Sequence, residues 1–202
     1  MNNSEWRSYS QVYIDRVLYP VRSLGPGRRI AIWTSGCNKR CSGCANPELW
    51  IQHPEQRITP QRLAASIFEN IHGDVDGITI SGGEPFLQAV ELTEFLDLLS
   101  IEGDILIFSG YTYEELISNN VSKNLLDRID VLIDGEYKDS LNDGKSALRG
   151  STNQRIHYLN SRVVEQYERY LKQGRIIQNF VYDYNILSVG IHNPGVRDSK
   201  EV

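Results

Sequence analysis

Cys37, Cys41 and Cys44 fall within eight consecutive positions of a 202-residue chain and are its only cysteines. They lie, spaced C-x3-C-x2-C, in Thr34-Ser35-Gly36-Cys37-Asn38-Lys39-Arg40-Cys41-Ser42-Gly43-Cys44-Ala45-Asn46-Pro47. An odd, clustered set argues against a disulfide framework. Thiolates are soft ligands suited to zinc or to an iron–sulfur cluster. A cubane cluster normally takes four protein thiolates, so three leave one coordination position open for chemistry. Steps of four and three residues would put all three on one helical face. Gly36, Gly43 and Pro47 oppose a continuous helix, so a loop wrapped around a metal centre is expected. A zinc site completed by His53 or His72 stays open at this point.

The remaining composition sets bounds. With 40% hydrophobic and 23% charged residues and a net charge of −5, the chain has room for one domain with a sizeable core. No apolar run approaches the roughly 20 residues needed to span a bilayer. The first residues lack the basic and apolar regions of a signal peptide. A cytoplasmic protein that binds no membrane is expected. The mild acidity lends no support to nucleic-acid binding, which leans on basic surface.

Along the chain, β-formers at 11–19, Ile30–Trp33, Gly77–Ile80, Asp104–Phe108 and Ile129–Ile133 predict strands. Thr59-Pro60 reads as an N-cap with a first-turn proline, opening a helix with Leu63, Ala64, Ile67, Phe68 and Ile71 on one face. Further helices are expected at about Phe86–Ser100, Glu114–Asn120 and after Ser161 up to Gly174. Residues 136–153 read as a long polar loop, a length that is usually functional or mobile. Arg175–Tyr182 and Ile186–Ile191 read as a hairpin around Tyr184-Asn185. A single domain over 1–192 with a flexible tail at 193–202 is expected.

Strands alternating with helices imply an α/β fold with a parallel sheet, in which ligands sit at the carboxyl ends of the strands. The cysteine loop, Ser81–Glu84, Ser109–Tyr111 and Asp134-Gly135 each follow a predicted strand, so four polar turns converge on one rim. In Ser81-Gly82-Gly83-Glu84-Pro85, glycines allow close backbone approach. Exposed carbonyls and a carboxylate there can accept hydrogen bonds from an ammonium group. Arg28, Arg29, Arg149 and Arg155 are candidates to meet a ligand carboxylate or a partner, although each reads individually as a solvated surface arginine. The four histidines read as structural or exposed.

Together, Cys37, Cys41, Cys44 and the Gly82-Gly83-Glu84 turn resemble the radical S-adenosylmethionine superfamily, with Gly43 standing where an aromatic residue more often precedes the last cysteine. The resemblance implies a partial (β/α)6 TIM-like barrel, a [4Fe–4S] cluster held by the three cysteines, and S-adenosylmethionine bound to the open iron. Gly25-Pro26-Gly27, the blocks around the cysteines with Trp50, Ser109-Gly110-Tyr111, Asp130–Gly135 and Arg149-Gly150-Ser151-Thr152-Asn153-Gln154-Arg155 resemble the activating component of anaerobic (class III) ribonucleoside-triphosphate reductase. That resemblance implies cofactor contacts from Gly82, Gly83, Glu84, Asn46, Ser109, Tyr111 and Asp134. It also implies a glycyl-radical enzyme as partner and flavodoxin or ferredoxin as reductant. A radical enzyme acting directly on a small molecule or peptide, and a non-catalytic zinc module, are the alternatives.

Overall fold

Four short apolar strands form the centre of the protein, and their burial on both faces is why they read as continuous runs rather than alternating patterns. In the computed structural model, which describes residues 10–182 and 185–193, β2 (Arg29–Thr34), β4 (Gly77–Gly82), β5 (Asp104–Phe108) and β6 (Val131–Asp134) pair side by side and parallel. β1 (Val12–Val21) flanks β2 and β7 (Arg155–Tyr158) flanks β6, both antiparallel, and the two-residue β3 (Arg57–Ile58) adds to β1. The full order is β3-β1-β2-β4-β5-β6-β7.

The expected α/β class is what the chain adopts, with a central, mostly parallel sheet. The differences lie at the two edges, where a purely parallel set of six units was expected. Only Arg22–Arg28 separates β1 from β2, too short for a crossover, which needs a dozen or more residues; the pair is therefore antiparallel. Between β6 and β7 the chain makes only one short 3₁₀ turn, Asp139–Leu141, so no helix carries β7 across to a parallel position.

α1 (Pro60–Asn70), α2 (Ala89–Asp97) and α4 (Asn120–Leu126) cover one face, where Ile30, Ile32, Ile78 and Ile80 meet Leu63, Ile67, Leu92, Phe95 and Leu125. α1 begins as read, with the Thr59 hydroxyl accepting from Arg62 N at 3.2 Å and Pro60 in its first turn. The helix expected over Glu114–Asn120 is the shorter α3 (Tyr113–Ile117), and α4 follows as a second, unanticipated helix that Asn119 caps through Val121 N and Ser122 N. On the other face Leu106, Val131 and Ile133 meet Tyr167 and Tyr170 of α5 (Val164–Leu171), together with Ala147 and Leu148. Those last two residues bury completely, so the 136–153 segment is anchored where a loose polar loop was expected. The expected C-terminal hairpin forms from β8 (Ile177–Tyr182) and β9 (Asn185–Gly190) and packs Val189 against Val21, Ala31, Trp33 and Leu49. Tyr184 at its expected turn and the tail beyond residue 193 lie outside the described residues.

Arg29 corrects the sequence reading. It is fully buried at the amino end of β2, far from solvent. Its guanidinium donates to Asp104 at 3.0 and 2.8 Å, to Thr79 Oγ1 at 2.6 Å and to Ile78 O at 2.7 Å. The Tyr167 hydroxyl and the Gln166 amide also donate to Asp104. Breaking one member of such a buried pair leaves an uncompensated charge. Arg29→Met should therefore lose about 3–5 kcal/mol of stability in urea unfolding, and the double variant Arg29→Met/Asp104→Leu should recover most of that loss. Equal losses in the two variants would contradict this account.

Candidate active site

The four turns expected on one rim do meet at the carboxyl ends of β2, β4, β5 and β6, and backbone bonds weld them. Gly83 N donates to Thr34 O at 2.7 Å and Glu84 N to Gly36 O at 2.8 Å. Ser109 N donates to Ile133 O at 2.8 Å and Gly135 N to Tyr111 O at 3.0 Å. The glycines of the second turn are required by this contact. A Cβ on Gly82 would lie 2.3 Å from Thr34 O, and one on Gly83 2.3 Å from Gly36 O. Their close approach is to the base of the cysteine loop.

That loop leaves β2 through Gly36, whose φ of +96° an L side chain rarely adopts. Gly36 N donates to Leu49 O at 2.8 Å and Cys37 N to Trp50 O at 3.0 Å, so the 3₁₀ turn Pro47–Trp50 pins the start of the loop. Cys37, Cys41 and Cys44 are unpaired and half-buried, in a loop without helix, as expected. Burial pushes the Cys41 and Cys44 thiols up, and the other cysteines add to the effect. The Tyr137 backbone N–H at Cys41, and the Asn46 backbone N–H and Trp50 indole at Cys44, work in the opposite direction. The three sulfurs thus sense one another, and N–H groups face two of them. This donor set fits a cationic centre that draws the thiols into the thiolate form. Among the described residues, no three His, Cys, Asp or Glu side chains converge as one ion would require. A cubane meets each cysteine at a different iron and does not require it. His53 sits 4.0 Å from Glu55 and is half-exposed.

The other anticipated residues fall into two groups. Tyr111 lies over the cysteine loop, its hydroxyl bonded to Asn38 Nδ2 and its ring 3.9 Å from Lys39 Nζ. Asn46 precedes the 3₁₀ turn, with Oδ1 at 3.5 Å from Arg16. Glu84, Ser109 and Asp134 turn inward. Glu84 is 1% exposed; its carboxylate accepts from Phe86 N at 3.0 Å, Ser109 Oγ at 2.9 Å and Gly110 N at 2.7 Å. The expectation of an open carboxylate there gives way to an internal tie between two turns. Asp134 is buried, accepting from Tyr113 N at 2.6 Å and from Arg155, with His157 Nε2 at 3.1 Å. Burial pushes Asp134 up, but Arg155 and the Tyr113 N–H outweigh it and hold the carboxyl below its usual range.

Beyond Arg149 and Arg155 as candidates to meet a ligand carboxylate or a partner, the Arg149–Arg155 block carries no expected role. Gln154 Oε1 accepts from Gly150 N at 2.8 Å and its Nε2 donates to Gly135 O at 2.9 Å. Asn153 Nδ2 donates to Glu136 O at 2.8 Å, and Ser151 Oγ accepts from Lys138 N at 3.1 Å. These bonds grip residues 135–138 and press the following Asp139 onto the cysteine loop, where a Cβ on Gly43 would lie 2.9 Å from its Oδ1. The run of amides and hydroxyls was the signal in the sequence.

Residues 23–157 match the family described as a 4Fe-4S single cluster domain. The anaerobic ribonucleoside-triphosphate reductase-activating protein of Salmonella typhimurium is 34% identical over 152 residues, covering 70% of this chain and 96% of its own. The chain belongs to the family of these activating proteins. Its Escherichia coli relative of the same name is 33% identical over 151 residues, with 70% and 96% covered. That of Enterobacteria phage T4 is 30% identical over 148 residues, with 70% and 91% covered. Among solved structures, QueE from Escherichia coli aligns with a TM-score of 0.45 and 19% identity over 55% of this chain and 58% of its own. The family match contains the whole rim and the Arg149–Arg155 block; α5 and the hairpin lie beyond it.

Burial pushes Glu84 from 4.5 up to about 7, against the pull of its three donors and Lys39. A carboxyl raised on folding stabilises the fold below its unfolded pKa and loses that contribution as pH rises through the folded value. The wild-type protein, free of metal, should therefore lose stability between pH 4.5 and 7, with about 3 kcal/mol of that slope due to Glu84. In Glu84→Gln the slope should flatten. Denaturant unfolding across that range checks this, and identical slopes in the two proteins would refute it.

Proposed function

We propose that this chain generates a glycyl radical on anaerobic ribonucleoside-triphosphate reductase, using a [4Fe–4S] cluster and S-adenosylmethionine. The observation that carries the reading is its likeness to activating proteins over nearly their whole length, joined to three cysteines in one rim loop. When bound, the cluster and S-adenosylmethionine would supply the one electron and the sulfonium whose cleavage yields methionine, 5′-deoxyadenosine and a glycyl radical on the partner.

In this reading Cys37, Cys41 and Cys44 would hold the cluster and leave it one open position for the amino acid end of S-adenosylmethionine. Gly82 and Gly83 offer backbone to that end, while Glu84 and Ser109 keep the turn rigid beneath it. Tyr111 and Asn46 border the cofactor. Asp134 acts through Arg155, fixing the rim after β6. The protein positions the reactants and excludes water, since the cofactors carry the hard chemistry. The open rim suits a partner whose glycine loop completes the site. All three cysteines are used by one cluster, so an external reductant of the flavodoxin or ferredoxin kind delivers the electron. One domain over residues 1–192, working in the cytoplasm, completes the reading. Among the described residues no helix is long and apolar enough to cross a membrane.

Anaerobically purified protein should contain about four irons and four sulfides per chain. With a reductant it should form 5′-deoxyadenosine, and on mixing with the reductase it should give a glycyl radical signal in electron paramagnetic resonance. Alanine at any of Cys37, Cys41 or Cys44 should abolish 5′-deoxyadenosine formation and leave the chain soluble. One zinc without sulfide, or a cysteine variant that still forms 5′-deoxyadenosine, would sink the reading.

A further inference from the structure

Trp50 touches both ends of the cysteine loop. Its carbonyl accepts from Cys37 N at 3.0 Å. Its indole Nε1–H is buried, has no hydrogen-bond partner and faces the Cys44 sulfur. Buried N–H groups in folded proteins are almost always paired, and buried tryptophan nitrogens usually find an acceptor. A thiol is a weak acceptor, whereas an ionised group makes hydrogen bonds roughly twice as strong as a neutral one. The indole is thus left short of a bond that the negatively charged sulfur of a ligating Cys44 provides.

We propose that Trp50 is a positioning residue of the metal centre, donating its indole N–H to the Cys44 thiolate and thereby raising the cluster's reduction potential. The inference rests on the reading of Cys44 as a cluster ligand. Reduction adds negative charge to the cluster and its sulfurs, so a donor aimed at a ligating sulfur favours the reduced state; cluster potentials respond to such bonds. Trp50 therefore ties the first cysteine through its backbone and tunes the third through its ring. Nothing in this role requires it to touch substrate.

The test uses the full chain, loaded anaerobically, with iron and sulfide measured first. Wild-type protein without iron and sulfide overturns the cluster reading, and this inference with it, before any substitution is examined. Trp50→Phe keeps an aromatic ring in place and removes the N–H. In a redox titration followed by electron paramagnetic resonance, Trp50→Phe with wild-type iron content should show a midpoint lowered by about tenfold in the reduction equilibrium, or ~59 mV for one electron. An unchanged midpoint at full iron content overturns the proposal. A second measurement needs no change at Trp50. Wild-type protein carrying ¹⁵N only in its indole rings should show a nitrogen coupling to the reduced cluster by pulsed resonance, and Trp33→Phe should retain it. Absence of that coupling overturns the proposal even if Trp50→Phe takes up no iron.

Discussion

The rim depends on a carboxylate that never reaches solvent. Glu84 receives donors from its own turn at Phe86 and from the turn after β5 at Ser109 and Gly110, while its backbone N–H holds Gly36. One residue thus joins three of the four turns, and the fourth is added by Gly135 N on Tyr111 O. Burial opposes the charge and the three donors favour it, which leaves Glu84 poised near neutrality. A shorter or branched side chain would not span the same three donors.

The protein separates its two buried charge systems. At the amino ends of the parallel strands, Arg29 and Asp104 are saturated with partners, and the Tyr167 ring of α5 lies 5.9 Å from the guanidinium. At the carboxyl ends, the Trp50 indole lacks a hydrogen-bond partner, and Arg40 in the cysteine loop adopts a positive φ of 48°. Strain and unmet polar groups cost free energy and persist where the surroundings over-determine them.

What the sequence disclosed was local. The cysteine spacing, the Thr59-Pro60 cap, the glycine turn and the apolar strands each announce themselves within a few residues, and the strand-end rule then gathers the four turns on one rim. What escaped depends on packing between distant segments. Arg29 reads as a surface charge because nothing near it in sequence names Asp104 or Tyr167. Glu84 reads as an open acceptor because Ser109 and Gly110 arrive from another strand. Ala147 and Leu148 are too few to mark an anchored loop, and β7 is hidden within a polar block that is recognised by its composition. Side-chain direction at a turn is set by tertiary partners, which periodicity does not encode.

The floor beneath the cysteine loop joins the two ends of the chain. Leu49 packs there with Trp33 and Val21 from the first part of the chain and with Val189 from the last strand. Gln178 seals the seam, donating to Pro20 O at 2.8 Å and accepting from Arg22 N at 2.8 Å. Closing a contact between residues so far apart in sequence costs loop entropy that local pairs do not. On a chain made from its amino end, the cysteines are therefore in place long before their support is. The order of synthesis separates the arrival of the ligands from the completion of the surface that holds them.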